Sequence, residues 1–547
     1  METQTIDAAL YHRMIVAGTA NLRRHAARIN DLNVFPIPDG DTGDNMLLTM
    51  RGGAGTEEIP GESLGQAAAR VGDGMLLSAR GNSGVILSQF FDGVAAGLSG
   101  TETADAATLG EAFRSGVRHA YSAVMTPTEG TILTVAREAT DYACGRGASD
   151  ATVFLSDFLY EANRSLLHTP ELLPVLRQAG VVDSGGAGLI RVVEGMLHAL
   201  TGEELPGEEE GASGNDARHL DLNRFTADSV LEFGYCTELL LRLQNAKVDV
   251  ENFDIAVITD ELNRLGDSVV AVKNGSIVKI HVHTKIPDRV LALGQRFGEF
   301  LTVKIENMTL QHNQSTETPP PEPSAEHKAY GLVAVACGEG IRRMFRELGA
   351  DAVVDGGQSM NPSAKDFLEA FDRVGADTIF VLPNNGNIIL TARQAAKLYT
   401  GAEVRVIETH NIGEGHAALT MFDTTSDDAD TIETLLRQAT EGVITAAVST
   451  CSRDTDSDAL HLWRGEYIGF VGDHILSADR DRVDTACRLL DELDFADREI
   501  CIMICGKDAD ATETEAIRAH LAAARPGCEI YPVDGGQDIY HYIFIIE

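Results

Sequence analysis

Asn33–Met50 reads NVFPIPDGDTGDNMLLTM. Asp39, Asp41 and Asp44 fall within this short run, with Gly40 and Gly43 between them. Asp39 and Asp41 are two apart in a glycine-broken loop, which puts two hard oxygen donors on one sharp turn. Mg²⁺ takes such carboxylates and keeps substrate phosphates among its remaining ligands. Gly43 removes a side chain where a backbone N–H would approach a phosphate. The apolar run Met46–Met50 then opens a helix, with its positive end toward the same anion. An ordinary Asp/Gly turn has the same spacing, so the stretch alone allows both readings. Ca²⁺ is excluded: the stretch begins like an EF-hand loop but lacks the other ligands and the closing Glu.

Three further glycine-rich elements follow. Ser78–Gln89, SARGNSGVILSQ, sets Arg80, Asn82, Ser83 and Gly84 in a polar turn before an apolar run. A loop feeding a helix start binds anions, and a plain helix cap looks the same; no GKS or GKT of a Walker loop is present. Thr128–Val135, TEGTILTV, and Val181–Leu189, VVDSGGAGL, each lead from a glycine turn into apolar sequence and read most simply as helix starts. Around them Leu10, Met14 and Ala17 recur at helical spacing, and Ser63–Gly72 and Asp150–Leu167 are Ala/Leu-rich. Little period-2 alternation occurs, so residues 1–202 are expected to be all-helical.

Residues 203–218 (EELPGEEEGASGNDAR) and 314–328, with Pro319, Pro320, Pro321 and Pro323, read as linkers. Between them, 219–313 holds DSVVAVK and SIVKIHVHT around Asn274-Gly275, a strong hairpin signal, after a helix near Asn252–Leu265. A small α+β domain is expected. In 329–547 the apolar strands Leu332–Ala336, Ala352–Val354, Thr378–Leu382 and Val404–Ile407 alternate with helices such as Ile341–Leu348 and Ala364–Val374. That is the βαβ pattern of a mostly parallel sheet, as one large or two smaller units. The fold class is therefore multidomain: an N-terminal all-α helical barrel, a middle α+β domain and a C-terminal α/β region, the barrel being what the family resemblance below implies.

Taken together and in order, LNVFPIPDGDTGDNM, ARGNSGVILSQF, EGTILTV and VDSGGAGL resemble the ATP-binding subunit of dihydroxyacetone kinase. They are closer still to the ATP-binding subunit of bacterial fatty acid kinase. The likeness continues through FGYCTELLL, KIHVHT, IENMTLQH, VVDGGQSMNPS, LPNNGNI and GGQDIYHYIF, nearly the whole chain. The resemblance implies an antiparallel helical barrel with ATP at one end. It implies Mg²⁺ on Asp39 and Asp41, with Asn33 as a further ligand. Thr42, Gly43, Asn45, Asn82, Ser83 and Gly84 would meet the phosphates, and Thr131, Asp183, Gly185 and Gly186 would line the nucleotide pocket. Asp44 stands where relatives are expected to carry Thr, and either faces solvent or adds charge to the metal site. The implied reaction moves the γ-phosphoryl of ATP to the carboxylate of a fatty acid presented by a separate lipid-binding protein. A homodimer is also implied, with the C-terminal region docking the partner. Transfer to another small acceptor, as in dihydroxyacetone kinase, and ATP sensing without turnover are the alternatives.

His281 and His283 sit two apart on one strand, their Cα atoms about 7 Å apart. With Cys236 they match the family's Cys and paired His, a plausible zinc shell. The spacing alone equally fits surface or core histidines. His312 is a weak candidate for a fourth ligand, and a zinc hydrolase centred on this set is a further alternative. In the C-terminal region ACGEGI lacks the third glycine of a dinucleotide fingerprint, and its Cys337 lies in a loop after a strand. GGQSMNP and PNNGN are polar loops after strands, which in open α/β sheets face the functional crevice.

The formal net charge of -39 opposes binding to nucleic acid or anionic lipid. No run of about 18 apolar residues suggests a membrane span. METQTIDAALYHRM lacks the basic and apolar regions of a signal peptide, so a cytoplasmic protein is expected. Eight scattered cysteines do not make a disulfide scaffold, and Cys501 and Cys505 in CIMIC read as a buried strand.

Overall fold

A computed structural model describes residues 5–32, 40–202, 235–250, 253, 255–262, 264–265, 267–274, 277–307, 327–358, 360–424, 428–457, 460–494 and 498–547. For several residues of the middle strands only the backbone is described. The chain forms two units, Met1–Glu209 with Glu326–Glu547, and Glu210–Ala325. Both expected linkers lie outside the described residues, apart from 327 and 328. Among the described residues no helix is long and apolar enough to cross a membrane.

The first unit begins with a helical lobe. Its helices are α1 (Ala8–Asn30), α2 (Thr42–Ala54), α3 (Leu64–Ser78), α4 (Gly81–Gly97), α5 (Ala106–Ala123), α6 (Ile132–Arg146), α7 (Ala151–Leu172), the short α8 (Pro174–Ala179) and α9 (Ser184–Thr201). Short polar side chains start most of them. Asp7, Asp105 and Asp150 accept from backbone N–H groups of the first turns of α1, α5 and α7, and Ser63 with Gln66 forms a reciprocal capping box on α3. Each such cap answers N–H groups that the helix cannot satisfy internally. The lobe closes on Phe90, Phe113, Phe154 and Phe158, fully buried rings in edge-to-face contact at 5.3–5.4 Å.

The rest of the first unit is an α/β lobe with two sheets. β5 (Lys328–Ala336), β6 (Ala352–Asp355), β7 (Ala376–Leu382) and β8 (Glu403–Val406) form a parallel sheet in the order β6-β5-β7-β8. Helices cover both of its faces, as the alternating pattern predicts. Beyond Ile444 the parallel expectation fails. The second sheet runs in the order β13-β12-β9-β16-β14-β15 and is antiparallel except at one pair, β14 with β15. Its strands are β9 (Ile444–Thr450), β12 (Tyr467–Val471), β13 (His474–Asp479), β14 (Ile500–Cys505), β15 (Glu529–Asp534) and β16 (Tyr540–Ile546), and a small ribbon, β10 (Thr455–Ser457) with β11 (Leu460–Leu462), precedes β12. The tight β12–β13 connection at Gly472 needs no crossover helix, so these two strands form a hairpin. Cys501 and Cys505 are buried on β14 as expected.

The second unit is a four-stranded antiparallel sheet, β2-β3-β1-β4, with two helices. Its strands are β1 (Tyr235–Leu243), β2 (Asp267–Asn274), β3 (Ile277–Thr284) and β4 (Gly298–Asn307); α10 spans Ala256–Leu262 and α11 Pro287–Gln295. Leu239, Leu241, Val278, Ile280 and Val282 alternate along β1 and β3 and pack on Ile258, Leu262, Val290 and Leu293. Strand period two against a helical stripe is what an α+β layer requires.

Candidate functional site

The starts of α2, α4, α6 and α9 meet at one place. Thr42, Asn82, Ile132 and Ser184, each in the first turn of one of these helices, line a single cavity of about 690 Å³. A helix start exposes unpaired N–H groups and the positive end of the peptide dipoles. Four of them around one cavity make a receptor for anions such as phosphates. Ser184 Oγ donates to Thr42 Oγ1 at 3.2 Å, tying the starts of α9 and α2, and Arg80 N, just before α4, donates to Thr49 Oγ1 in the body of α2 at 3.3 Å.

Asp41 occupies the N-cap position of α2, yet its carboxylate makes no capping bond. It accepts instead from Asn361 Nδ2 at 2.5 Å. Burial pushes its pKa up to about 6; a hydrogen bond from Asn45 works against this, and Asp44 adds to it. Asn361, 2% exposed, leaves its own Oδ1 without a partner in the same place. A buried carboxyl on the cavity wall, whose charge burial opposes, fits a hard divalent cation: the ion would favour the ionised form of Asp41. Asp183 caps α9, accepting from Gly186 N at 2.6 Å, and burial pushes its pKa up to about 6. Thr131 caps α6 through Leu133 N.

Of the residues predicted from sequence, the structure brings Asp41, Thr42, Asn45, Asn82, Ser83, Thr131, Asp183 and Gly185 into the cavity wall. Asn33 and Asp39 lie outside the described residues. Gly43 corrects the reading of its role. Its N–H donates to Asn30 Oδ1 at 2.7 Å, and a Cβ there would lie 2.3 Å from the Ala26 carbonyl oxygen. The missing side chain lets α1 and α2 touch rather than admitting a phosphate. Gly84 is likewise buried, where a Cβ would meet Thr49 Oγ1 at 2.4 Å, and Gly186 gives its N–H to Asp183. Asp44 faces solvent and accepts from Asn30 Nδ2 at 2.9 Å, outside the cavity wall.

The opposite wall comes from the α/β lobe. The sequence places the polar loops GGQSMNP and PNNGN at a crevice, without assigning their residues to the nucleotide site. Cys337, Gly356–Gln358, Pro383–Asn387 and His410–Ile412 follow β5, β6, β7 and β8 and line the same cavity. Their position at the carboxyl ends of parallel strands is the rule for such sheets. Asn82 Nδ2 donates to Asn387 Oδ1 at 3.3 Å; Asn385 Nδ2 donates to Gln358 Oε1 at 2.7 Å, and Gln358 Nε2 to Tyr540 Oη at 2.6 Å. Asn384 adopts a left-handed backbone, φ 56°, in this loop. The Arg80 guanidinium turns to the α/β lobe, donating to the Asn361 carbonyl at 2.7 Å and lying 3.6 Å from Asp366. Among the described residues no Lys or Arg lines the cavity. The positive ends of the helix starts are therefore the cavity's main source of attraction for an anion.

In the middle unit the register sets Cys236 opposite His283 and Glu238 opposite His281 on β1 and β3. The side chains of Cys236, His281 and His283 lie outside the described residues, as does His312. Among the described residues no group of three His, Cys, Asp or Glu is placed to hold a metal.

Residues 36–198 match the DAK2 domain, 232–315 the FakA-like middle domain and 331–547 the FakA-like C-terminal domain, the last two being domains of a fatty acid kinase subunit. Over its full length the chain is 38% identical to Protein YloV of Bacillus subtilis (strain 168), covering 100% of both. The chain belongs to the FakA-like family of fatty acid kinase subunits. A Staphylococcus aureus (strain NCTC 8325 / PS 47) relative is 36% identical, over 99% of each chain. Two solved structures are similar to parts of this family member. The dihydroxyacetone kinase from C. freundii in complex with AMP-PNP and Mg²⁺ matches at 22% identity over 36% of this chain and 35% of that one, TM-score 0.29. The Streptococcus pneumoniae fatty acid kinase B3 protein loaded with linoleic acid matches at 12% identity over 40% and 98%, TM-score 0.29. This FakA-like chain thus carries the domain set of a kinase related to fatty acid kinase.

Proposed function

We propose that this protein is the ATP-binding subunit of a two-component kinase that phosphorylates the carboxylate of a fatty acid held by a separate lipid-binding protein. The observation that carries the reading is the meeting of four helix starts with the buried Asp41 carboxyl in one cavity. That the family is one of kinase subunits supports a second protein. Asp41, with Asp39 before it and Asn33 as a further donor, would hold magnesium, which supplies charge neutralisation to the phosphates. Thr42, Asn45, Asn82 and Ser83 orient the phosphate chain by their place at the starts of α2 and α4. Thr131, Asp183 and Gly185 bound the nucleotide side.

A carboxylate oxygen of the acid bonds to the γ-phosphorus, and the bond from that phosphorus to the β–γ bridging oxygen breaks. ADP leaves with the electron pair, and an acyl phosphate forms. No proton moves, because a carboxylic acid is already ionised near neutral pH. The protein's task is therefore positioning and charge stabilisation.

The test is acyl-phosphate formation from ATP, Mg²⁺ and a fatty acid, with and without the lipid-binding partner, using Asp41→Ala as control. Product that requires the partner and vanishes in the variant supports the proposal. Nucleotide binding without turnover on any acceptor would replace it with a sensing role.

A further inference from the structure

Among the described residues on the cavity wall, His410 is the only side chain able to carry a positive charge. The charged groups it shares that wall with are carboxyls: Asp41 and Asp183 on the helical lobe, Asp473 and Asp538 on the α/β lobe. Asp538 is answered from outside the wall by Lys507 at 2.5 Å. Asp473 lies in the β12–β13 connection and Asp538 just before β16, both of the antiparallel sheet, whereas His410 follows β8 of the parallel one. A Cβ at Gly386 would lie 3.8 Å from His410 Cδ2, so the imidazole rests against the loop after β7. The next residue of that loop, Asn387, accepts from Asn82 Nδ2 in the first turn of α4 at 3.3 Å. His410 therefore stands on the α/β side of the cavity, beside the loop that touches a phosphate-facing helix start. Its side chain is 58% exposed, which puts the ring at the rim, within reach of an anion entering from solvent.

The ring is held in place by a carboxylate. His410 Nδ1 donates to Glu414 Oε2 at 3.2 Å, and the same oxygen accepts from the His410 backbone N–H at 2.6 Å. Asn411 Nδ2 fixes the other Glu414 oxygen at 2.8 Å. A carboxylate on one ring nitrogen sets the tautomer and leaves Nε2 for another partner. The bond to Glu414 raises the imidazole pKa above its ordinary value; partial burial opposes this, and the charges of Glu414 and of Glu408, itself bonded to Arg393, add to it. We propose that cationic His410 binds the terminal phosphate of a nucleoside triphosphate whose inner phosphates face the helix starts. A phosphate chain running from the Thr131 and Asp183 side toward the α/β lobe would meet His410 with its last group. Once that group has been transferred, the contact is gone, and the diphosphate is held less tightly than the triphosphate. The proposal rests on the kinase reading only for the nucleoside; the charge and the rim position concern the phosphate chain.

Isothermal titration calorimetry of the full chain with ATP and with ADP, each with Mg²⁺, tests it without acceptor or partner protein. His410→Gln keeps a donor for Glu414 and removes the charge. At about pH 6 it is expected to weaken ATP binding roughly 3- to 5-fold, the scale of one partly exposed charge contact, and to leave ADP binding nearly unmoved. The ratio of parent to variant should fall toward one by about pH 8.5, where the imidazole has lost its proton. Charge changes elsewhere on the wall act on parent and variant alike, so the ratio reports His410. His410→Lys should bind ATP more tightly than the parent at about pH 8.5, because its ammonium stays charged there. Equal losses for ATP and ADP, a loss of the same size at both pH values, or no gain from Lys overturns the proposal. A parent that binds neither nucleotide overturns the kinase reading instead; inorganic triphosphate and diphosphate then replace the pair, and the same three results decide.

Discussion

Asn361 Nδ2 donates to Asp41 Oδ2 at 2.5 Å, joining residues 320 positions apart in the chain. The contact belongs to a seam in which Arg80 and Ser363 form an antiparallel bridge and Gln394 Nε2 donates to the Leu76 carbonyl at 2.5 Å. A hydrogen bond to a carboxylate contributes more than a neutral one, about 1.5–3 kcal/mol. Asn361→Ala should therefore lower the unfolding free energy of the full chain by about 1–3 kcal/mol, measured by urea denaturation followed by circular dichroism. An unchanged midpoint and slope would mean that the seam does not depend on this bond.

Asp41→Ala separates chemistry from folding. The Asp41 carboxylate caps nothing in α2, so its loss should leave helix content intact. Loss of the bond from Asn361 is offset by removal of a buried carboxyl whose pKa burial raises to about 6, so thermal stability should change little. Phosphoryl transfer should fall at least ~100-fold, the scale of losing one main electrostatic contact to a transition state. Parallel loss of thermal stability and activity would instead mark Asp41 as structural.

Gly43→Ala tests the packing role assigned above. The new Cβ would sit 2.3 Å from the Ala26 carbonyl oxygen, a backbone atom that cannot rotate away. Overpacking of this kind costs about 1–3 kcal/mol. A lowered melting temperature is expected in the absence of any ligand. If only nucleotide affinity changed, with the melting temperature unmoved, the glycine would serve phosphate access after all.

Asp183 gives the fold a pH dependence. Its folded pKa of about 6 lies above the 3.8 of an unperturbed Asp, so the fold favours the protonated form. The stability it contributes is full below about pH 4 and is lost as pH rises through about 6. Asp183→Asn keeps a side-chain acceptor for the Gly186 N–H and removes the titration. The variant should be more stable than the parent at pH 7 by on the order of 2 kcal/mol, with the difference vanishing near pH 4. Stability curves that stay parallel across that range would contradict the assignment.

The helical lobe was legible because each of its signals is local. Ser63 followed by Gln66, and Thr131 before an apolar run, specify helix starts within a few residues. The hairpin of β2 and β3 was legible for the same reason, through Val/Ile-rich runs about Asn274. Gly43 was misread because a glycine in a loop signals access and close packing alike. Only the neighbouring α1, set by tertiary contact, decides which one is needed. The antiparallel second sheet was missed because strand runs such as Tyr467–Val471 announce pairing but not direction.

The sequence by itself determined the elements, their caps and the four glycine-turn motifs that feed helix starts. It also carried the family, since order and spacing of those motifs are properties of the chain alone. The tertiary structure decided what faces them. Asn361, Gln358, Asn385 and Asn387 reach the helix starts from loops that follow parallel strands hundreds of residues later. Which loop of one lobe meets which helix start of the other depends on how the two lobes dock, through contacts such as Asn361 with Asp41 and Gln394 with the Leu76 carbonyl. That is a long-range packing outcome, and no local pattern of residues encodes it.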